Sequence, residues 1–168
     1  MRNLPVKMAL DSLEHIPAYE LPEPYELRPY RRGDLAAWLR IHARADIYNR
    51  CDEKLFREQF GNDEKLLAQR QLYLCDGANE IGTATAWFGE EGPTGATGRV
   101  HWVAIVPDYQ GRGLSKPLLS ATLLRLRELG HTRAFLTTST PRKQAISLYE
   151  KFGFVQVPAE SGAPKRRT

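Results

Sequence analysis

The stretch 103–119 reads VAIVPDYQGRGLSKPLL: an apolar run, a Pro-Asp turn, a glycine-rich basic corner and a leucine-rich amphipathic segment. That is the order of a buried strand feeding a loop that becomes the first turn of a helix. Such a loop aims several backbone N–H groups at one place, and Gly111 and Gly113 let a ligand approach with no Cβ in the way. Arg112 and Lys116 add positive charge beside the helix dipole, so the fitting ligand is an anion, a phosphate or pyrophosphate. The Walker order GxxxxGK[ST] is absent, and two glycines alone serve a plain strand-to-helix corner as readily as a ligand site.

Working downstream, Leu114, Leu118, Leu119, Leu123, Leu126 and Leu129 mark one helix that ends at Gly130, with Pro117 in its first turn where a missing N–H is tolerated. The β-rich run 133–138 follows it and pairs parallel to the run 99–106, a βαβ unit. A last helix over 144–152 stops at Gly153. Upstream, strands are predicted over 66–75, 80–88 and 99–106, joined by the turn 76–79 and the glycine-rich hairpin tip 89–98 into an antiparallel meander. A first strand spans 25–29. Asp34 then reads as the cap of a helix carrying Leu35, Trp38, Leu39, Ile41, His42 and Ala45, and Asp52 as the cap of a second with Leu55, Phe56 and Phe60.

At 168 residues, 42% hydrophobic and 26% charged, the chain suits one globular domain with a sizeable core. Three segments are expected: a proline-rich arm over 1–24 with a short helix at 8–15, a domain over 25–157, and a polar basic tail over 158–168. No apolar run approaches the ~20 residues of a membrane span and no signal-peptide core opens the chain, so the expected compartment is the cytoplasm, with no membrane contact. The net charge of +4 owes much to Lys165, Arg166 and Arg167, and no run of exposed aromatics accompanies the remaining basic residues, which argues against a nucleic-acid partner. Cys51 and Cys75 lack metal-ligand spacing and read as free buried thiols; no metal is expected.

Gln110-Gly111-Arg112-Gly113-Leu114-Ser115 resembles the (Q/R)-x-x-G-x-(G/A) pyrophosphate loop of the GCN5-related N-acetyltransferases, with Ser115 standing where that family has Gly or Ala. AISLYEKFGF, from Ala145 to Phe154, resembles the family's second signature, A-x-x-L-Y-x-K-x-G-F. Together they extend the likeness over roughly 25–157. The resemblance implies an α/β acetyltransferase fold, a mixed and mostly antiparallel sheet flanked by helices. It implies acetyl-CoA as cofactor, held by the backbone of Val103, Ala104 and Ile105 and by the loop Gln110 to Ser115, with an amine on a small molecule or peptide as acceptor. Two departures stand out. Arg142 occupies a position where the family often has Asn, and the C-terminal hairpin looks truncated, leaving the acceptor pocket open or completed by the N-terminal arm or a second subunit of a homodimer.

Acetyl transfer from a thioester to an amine needs a placed thioester, a deprotonated amine, an oxyanion donor and a proton for the leaving thiolate. Tyr149 is the general acid the resemblance implies, against a plain core tyrosine on the face of Ala145, Leu148 and Phe152. His101 is the proposed base, against a structural hydrogen-bonder; alternation puts it on one face with Arg99, Val103 and Ile105. Glu90, Glu91 and Asp46 are fallback carboxylates, and Tyr30, Tyr48, Arg50 and Trp87 candidate pocket walls. A rival class is a chain that keeps the CoA loop as an acyl-CoA sensor without turnover, favoured by Ser115, Arg142 and the short C-terminus.

Overall fold

The computed structural model describes residues 3–158, so most of the expected basic tail lies outside the described residues. Seven strands form one mixed sheet in the order β2-β3-β4-β5-β6-β1-β7. They are β1 (Pro5–Leu10), β2 (Tyr25–Pro29), β3 (Gln71–Asp76), β4 (Asn79–Phe88), β5 (Thr97–Ile105), β6 (Arg133–Ser139) and β7 (Val155–Gln156). All neighbours run antiparallel except β5 and β6, the parallel pair joined by the crossover helix. Five helices flank the sheet: α1 (Asp34–Ala45), α2 (Glu53–Phe60), α3 (Glu64–Arg70), α4 (Ser115–Glu128) and α5 (Lys143–Lys151).

The meander, the crossover and the last helix follow the sequence pattern; three local expectations do not. The strand expected from residue 66 begins at Gln71, because Asp63 accepts hydrogen bonds from the N–H groups of Lys65 and Leu66 and starts α3 there. The segment 8–15 is not helical. Met8 lies fully buried in β1, and Pro5 to Leu10 pair antiparallel with β6 from Ser139 to Ala134. Asp34 is not a cap but the first residue of α1; its carboxylate turns back to take two bonds from Arg28, at 2.7 and 3.0 Å, and one from the Arg31 N–H. Asp52 does cap α2, accepting from the Leu55 N–H at 2.9 Å.

The short strand β7 has its counterpart at the other end of the chain. β7 is two residues long and pairs only with β1, so the strand beside β6 comes from the N-terminal segment. Beyond the strand, Leu13 is buried and its N–H bonds to the Thr132 carbonyl, which fastens the segment down to the body of the fold.

Two apolar clusters hold the sheet to its helices. One joins Trp38, Phe56, Phe60 and Tyr73 beneath α1 and α2; the other joins Met8, Val100, Leu123, Leu126 and Phe154 around α4 and the chain ends. Each large side chain buried in this way contributes roughly 1.5–3 kcal/mol relative to exposure.

Candidate active site

β5 and β6 pair over only three rungs, Thr97 with Arg133, Gly98 with Ala134 and Arg99 with Phe135. Beyond Arg99 they part. On the other edge of β5 the register to β4 slips, since Thr85 faces His101 while Thr83 faces Ala104, so Trp102 and Val103 together oppose the single residue Ala84. Trp102 carries the bulge with φ 52°, a left-handed conformation costing a bulky residue roughly 1–2 kcal/mol. Packing holds it there: the indole Nε1–H donates to Gln59 at 3.1 Å, and the ring meets Trp38 edge-on at 5.7 Å. The bulge also corrects the expected alternation, because residues 101 and 104, not 101, 103 and 105, now share a side of β5.

Where the strands part lies a cleft of about 390 Å³. β5 contributes Arg99 to Val103 and β6 Leu136 to Ser139; α1 and the turn after it add His42, Asp46 and Tyr48; α5 and the residue before it add Arg142, Ala145 and Tyr149. Asn3 and Pro5 also line it, so the N-terminal segment forms part of the cleft wall.

Tyr149 and His101 are thus brought into one cleft. Tyr149 is buried, packs edge-on against Phe154, and its hydroxyl has no hydrogen-bond partner among the described residues. Burial pushes its pKa up to about 12, with Arg142 pulling slightly the other way. His101 is 5% exposed, lies edge-on to Phe60 and makes no hydrogen bond to a described residue. Burial first, and the charge of Arg99 second, drop its pKa to about 2. The imidazole is neutral at physiological pH and free to accept a proton, but it is a far weaker base than its unperturbed value implies.

Of the fallback carboxylates, Asp46 lines the cleft, while Glu90 and Glu91 do not; Glu91 lies 3.8 Å from Arg133. Of the four pocket-wall candidates only Tyr48 lines the cleft. Tyr30 and Trp87 are core residues, and Arg50 is exposed elsewhere.

His42 and Arg142 carry roles that sequence reading missed. His42 lies on the buried face of α1, its ring 4.1 Å from that of Trp38, with both ring nitrogens sealed and unpartnered. Burial lowers it to about 4 despite Asp46 nearby. A polar residue in an otherwise apolar helical stripe was the available signal. Arg142, the departure from the family pattern, donates to Asp46 at 3.0 Å and lies over the Tyr48 ring, tying the start of α5 to the α1–α2 turn. Desolvation acts to raise the Asp46 pKa, but hydrogen bonds from Asn49 and Tyr48 and the charge of Arg142 outweigh it and hold it low.

The ligand atoms of His42, Asp46 and Cys51 lie within 4.8 Å of one another, yet the set is poorly suited to a cation. Both Asp46 oxygens already accept hydrogen bonds, a guanidinium sits on one of them, and burial pushes the half-buried Cys51 thiol up to about 11, so it keeps its proton.

The glycine-rich loop lies between a 3-10 turn (Pro107–Tyr109) and α4. Gly111 and Gly113 both have φ 75°, and a Cβ on either would meet nothing within 4 Å, so the space over the loop is open. Gln110 donates its side-chain amide to the Ile105 carbonyl at 2.8 Å, tying the loop to β5 instead of reaching outward. Arg112 reaches the Tyr25 hydroxyl at 3.2 Å and stacks over Tyr109. Ser115 opens α4, whose start has no side-chain cap.

A parallel strand pair that parts after three rungs, with a bulge on its inner strand and a glycine-rich helix start beside it, frames the cleft. The model of the acetyltransferase (GNAT) family matches residues 20–154, and the chain belongs to that family. A mycothiol acetyltransferase of Geodermatophilus obscurus is 32% identical over 164 residues, spanning 91% of this chain and 52% of that protein. One from Streptomyces coelicolor is 31% identical over 146 residues, spanning 83% of this chain and 46% of its own length. The chain therefore spans about half the length of these curated relatives. Among solved structures, a GCN5-related N-acetyltransferase from Sphaerobacter thermophilus superposes with a TM-score of 0.75 at 20% identity, over 91% of this chain and 48% of that one. The ribosomal-protein-S18-alanine N-acetyltransferase of Escherichia coli gives 0.66 at 24% identity, over 80% and 79%. At these identities the structures speak for the fold. Among the described residues no helix is long and apolar enough to cross a membrane.

Proposed function

We propose that the chain transfers an acetyl group from acetyl-CoA to a primary amine by direct attack within a ternary complex. The observation that carries this reading is the unpartnered Tyr149 hydroxyl at the cleft where β5 and β6 part. In this reading the pantetheine arm lies along Val103, Ala104 and Ile105 as a further strand, and the pyrophosphate rests on the open side of Gln110 to Ser115.

The amine nitrogen attacks the thioester carbon, the C–S bond breaks, and the sulfur leaves as thiolate. A backbone N–H of β5 stabilises the oxyanion. Both ring nitrogens of His42 are sealed, which leaves His101 as the imidazole that takes the amine proton, directly or through water. Tyr149 serves the sulfur. With its pKa at about 12 against ~8.5 for a free thiol, full proton transfer is uphill by about 5 kcal/mol in water. The thiolate forms in the same buried cleft, which raises its basicity as well and narrows that gap. Tyr149 therefore acts first as a hydrogen-bond donor to the departing sulfur and completes the transfer as CoA leaves.

The test is thiol release from acetyl-CoA against a panel of amino acids, peptide N-termini, arylalkylamines, polyamines and amino sugars. Release with one class above background supports the transferase reading. Tight acetyl-CoA binding by calorimetry with no release across the panel overturns it in favour of an acyl-CoA sensor.

A further inference from the structure

Arg99 stands on the last rung of the β5–β6 ladder and lines the cleft beside His101. Its guanidinium lies over the Phe135 ring, 5.4 Å from the centroid, and its Nε is sealed with no partner. No carboxylate of a described residue pairs with it, nor does any described group accept a hydrogen bond from it. Burial accordingly lowers its pKa, with no opposing charge to restore it. The other arginine in the cleft, Arg142, is already committed to Asp46. The cleft thus holds one uncompensated, half-buried positive charge, an arrangement that is costly unless a ligand completes it.

We propose that Arg99 is the recognition residue for a carboxylate on the acceptor, so that the amine substrate is one that carries a carboxylate group. This rests on the transferase reading above. A guanidinium presents a planar fork that matches a carboxylate, and a single free charge matches a single negative charge, where a phosphate calls for more donors. The hydroxyls and amides around the cleft, from Thr137, Ser139, Asn3 and Gln59, suit the rest of a polar molecule. The arrangement also couples binding to chemistry. The charge of Arg99 is one of the two causes that weaken His101 as a base, so a carboxylate seated on Arg99 neutralises it and strengthens His101 when the amine arrives.

The test compares matched pairs, each amino acid of a panel against its own C-terminal amide, with the intact chain and its Arg99→Gln and Arg99→Lys variants. Turnover is read as thiol release, and affinity by calorimetry on the CoA-loaded protein, so the comparison stands even where turnover fails. For the acid that binds best, amidation is expected to weaken KM or Kd by at least tenfold in the parent. Arg99→Gln should shrink that ratio to near one with acetyl-CoA affinity unchanged, and Arg99→Lys should restore part of it. Equal use of acid and amide by the parent overturns the inference while leaving the transferase reading standing. So does a ratio that Arg99→Gln leaves unchanged, a phosphate-bearing amine that outdoes every acid, or a panel in which no acid binds although acetyl-CoA does. Selective binding of an acid without thiol release upholds the carboxylate site and sinks the transferase reading instead.

Discussion

Lowering the pH from 7 to 5 should strip stability from the ligand-free protein through two histidines that nothing in the fold is prepared to charge. His42 and His101 are held at about 4 and about 2, chiefly by burial, while an unfolded histidine titrates near ~6.5. Below that value the unfolded chain binds protons the native state refuses, so stability falls as pH falls. Integrated from pH 7 to 5, each group loses about 2 kcal/mol and the pair about 4 kcal/mol, a large share of a typical folding free energy of roughly 5–15 kcal/mol. His131, whose pKa burial also lowers, adds in the same direction. Asp46 and Glu80, whose pKa values lie below the ordinary range, stay ionised across this window and act only at lower pH. Urea unfolding followed by tryptophan fluorescence at pH 7, 6 and 5 reads the slope, and a His42→Gln/His101→Asn double variant should lose most of it. Equal stability at pH 7 and 5, or the full slope persisting in the double variant, would refute the reasoning.

Three further outcomes are expected. Tyr149→Phe should lower kcat at least tenfold while acetyl-CoA affinity by calorimetry stays within twofold; a parental rate would make Tyr149 a core residue only. Gly113→Asp places its side chain in open space at a backbone angle Asp tolerates, so the protein should stay folded by circular dichroism while acetyl-CoA affinity falls at least tenfold; unchanged affinity would remove the loop from the binding site. Arg142→Ala leaves the nearly buried Asp46 carboxylate without its cation and should cost about 2 kcal/mol in urea unfolding, whereas a loss below 0.5 kcal/mol would mean that the clamp is ornamental.

Much of this protein is legible one residue at a time. Glycines at 111 and 113 before a leucine stripe announce a tight strand-to-helix corner, since a turn with two positive-φ residues immediately ahead of a helix favours glycine. The meander, the parallel crossover and Tyr149 on the last helix follow from periodicity and from the second motif, because these are local patterns. Other features depend on partners far away in the chain. Residues 64–70 fold as helix because Asp63 caps them, although their apolar content suits a strand equally. The arm at 5–10 becomes a strand because β6 offers it an unpaired edge, which its own prolines conceal.

The chemistry of the cleft divides along the same line. Sequence alone determined which groups are available: a histidine and a tyrosine in family-like positions, a glycine-rich loop, an arginine two residues before the histidine. Only the tertiary structure decided their character, because pKa and pairing depend on neighbours brought together from distant segments. Burial turned His101 into a weak base and Tyr149 into a weak acid; the bulge at Trp102 broke the alternation that would have aligned His101 with Val103. Arg142 found Asp46, 96 residues away, and became structural, while Arg99 found no carboxylate and was left as the one uncompensated cation of the described cleft. Charge compensation is a property of three-dimensional proximity, and no reading of residue types in order can supply it.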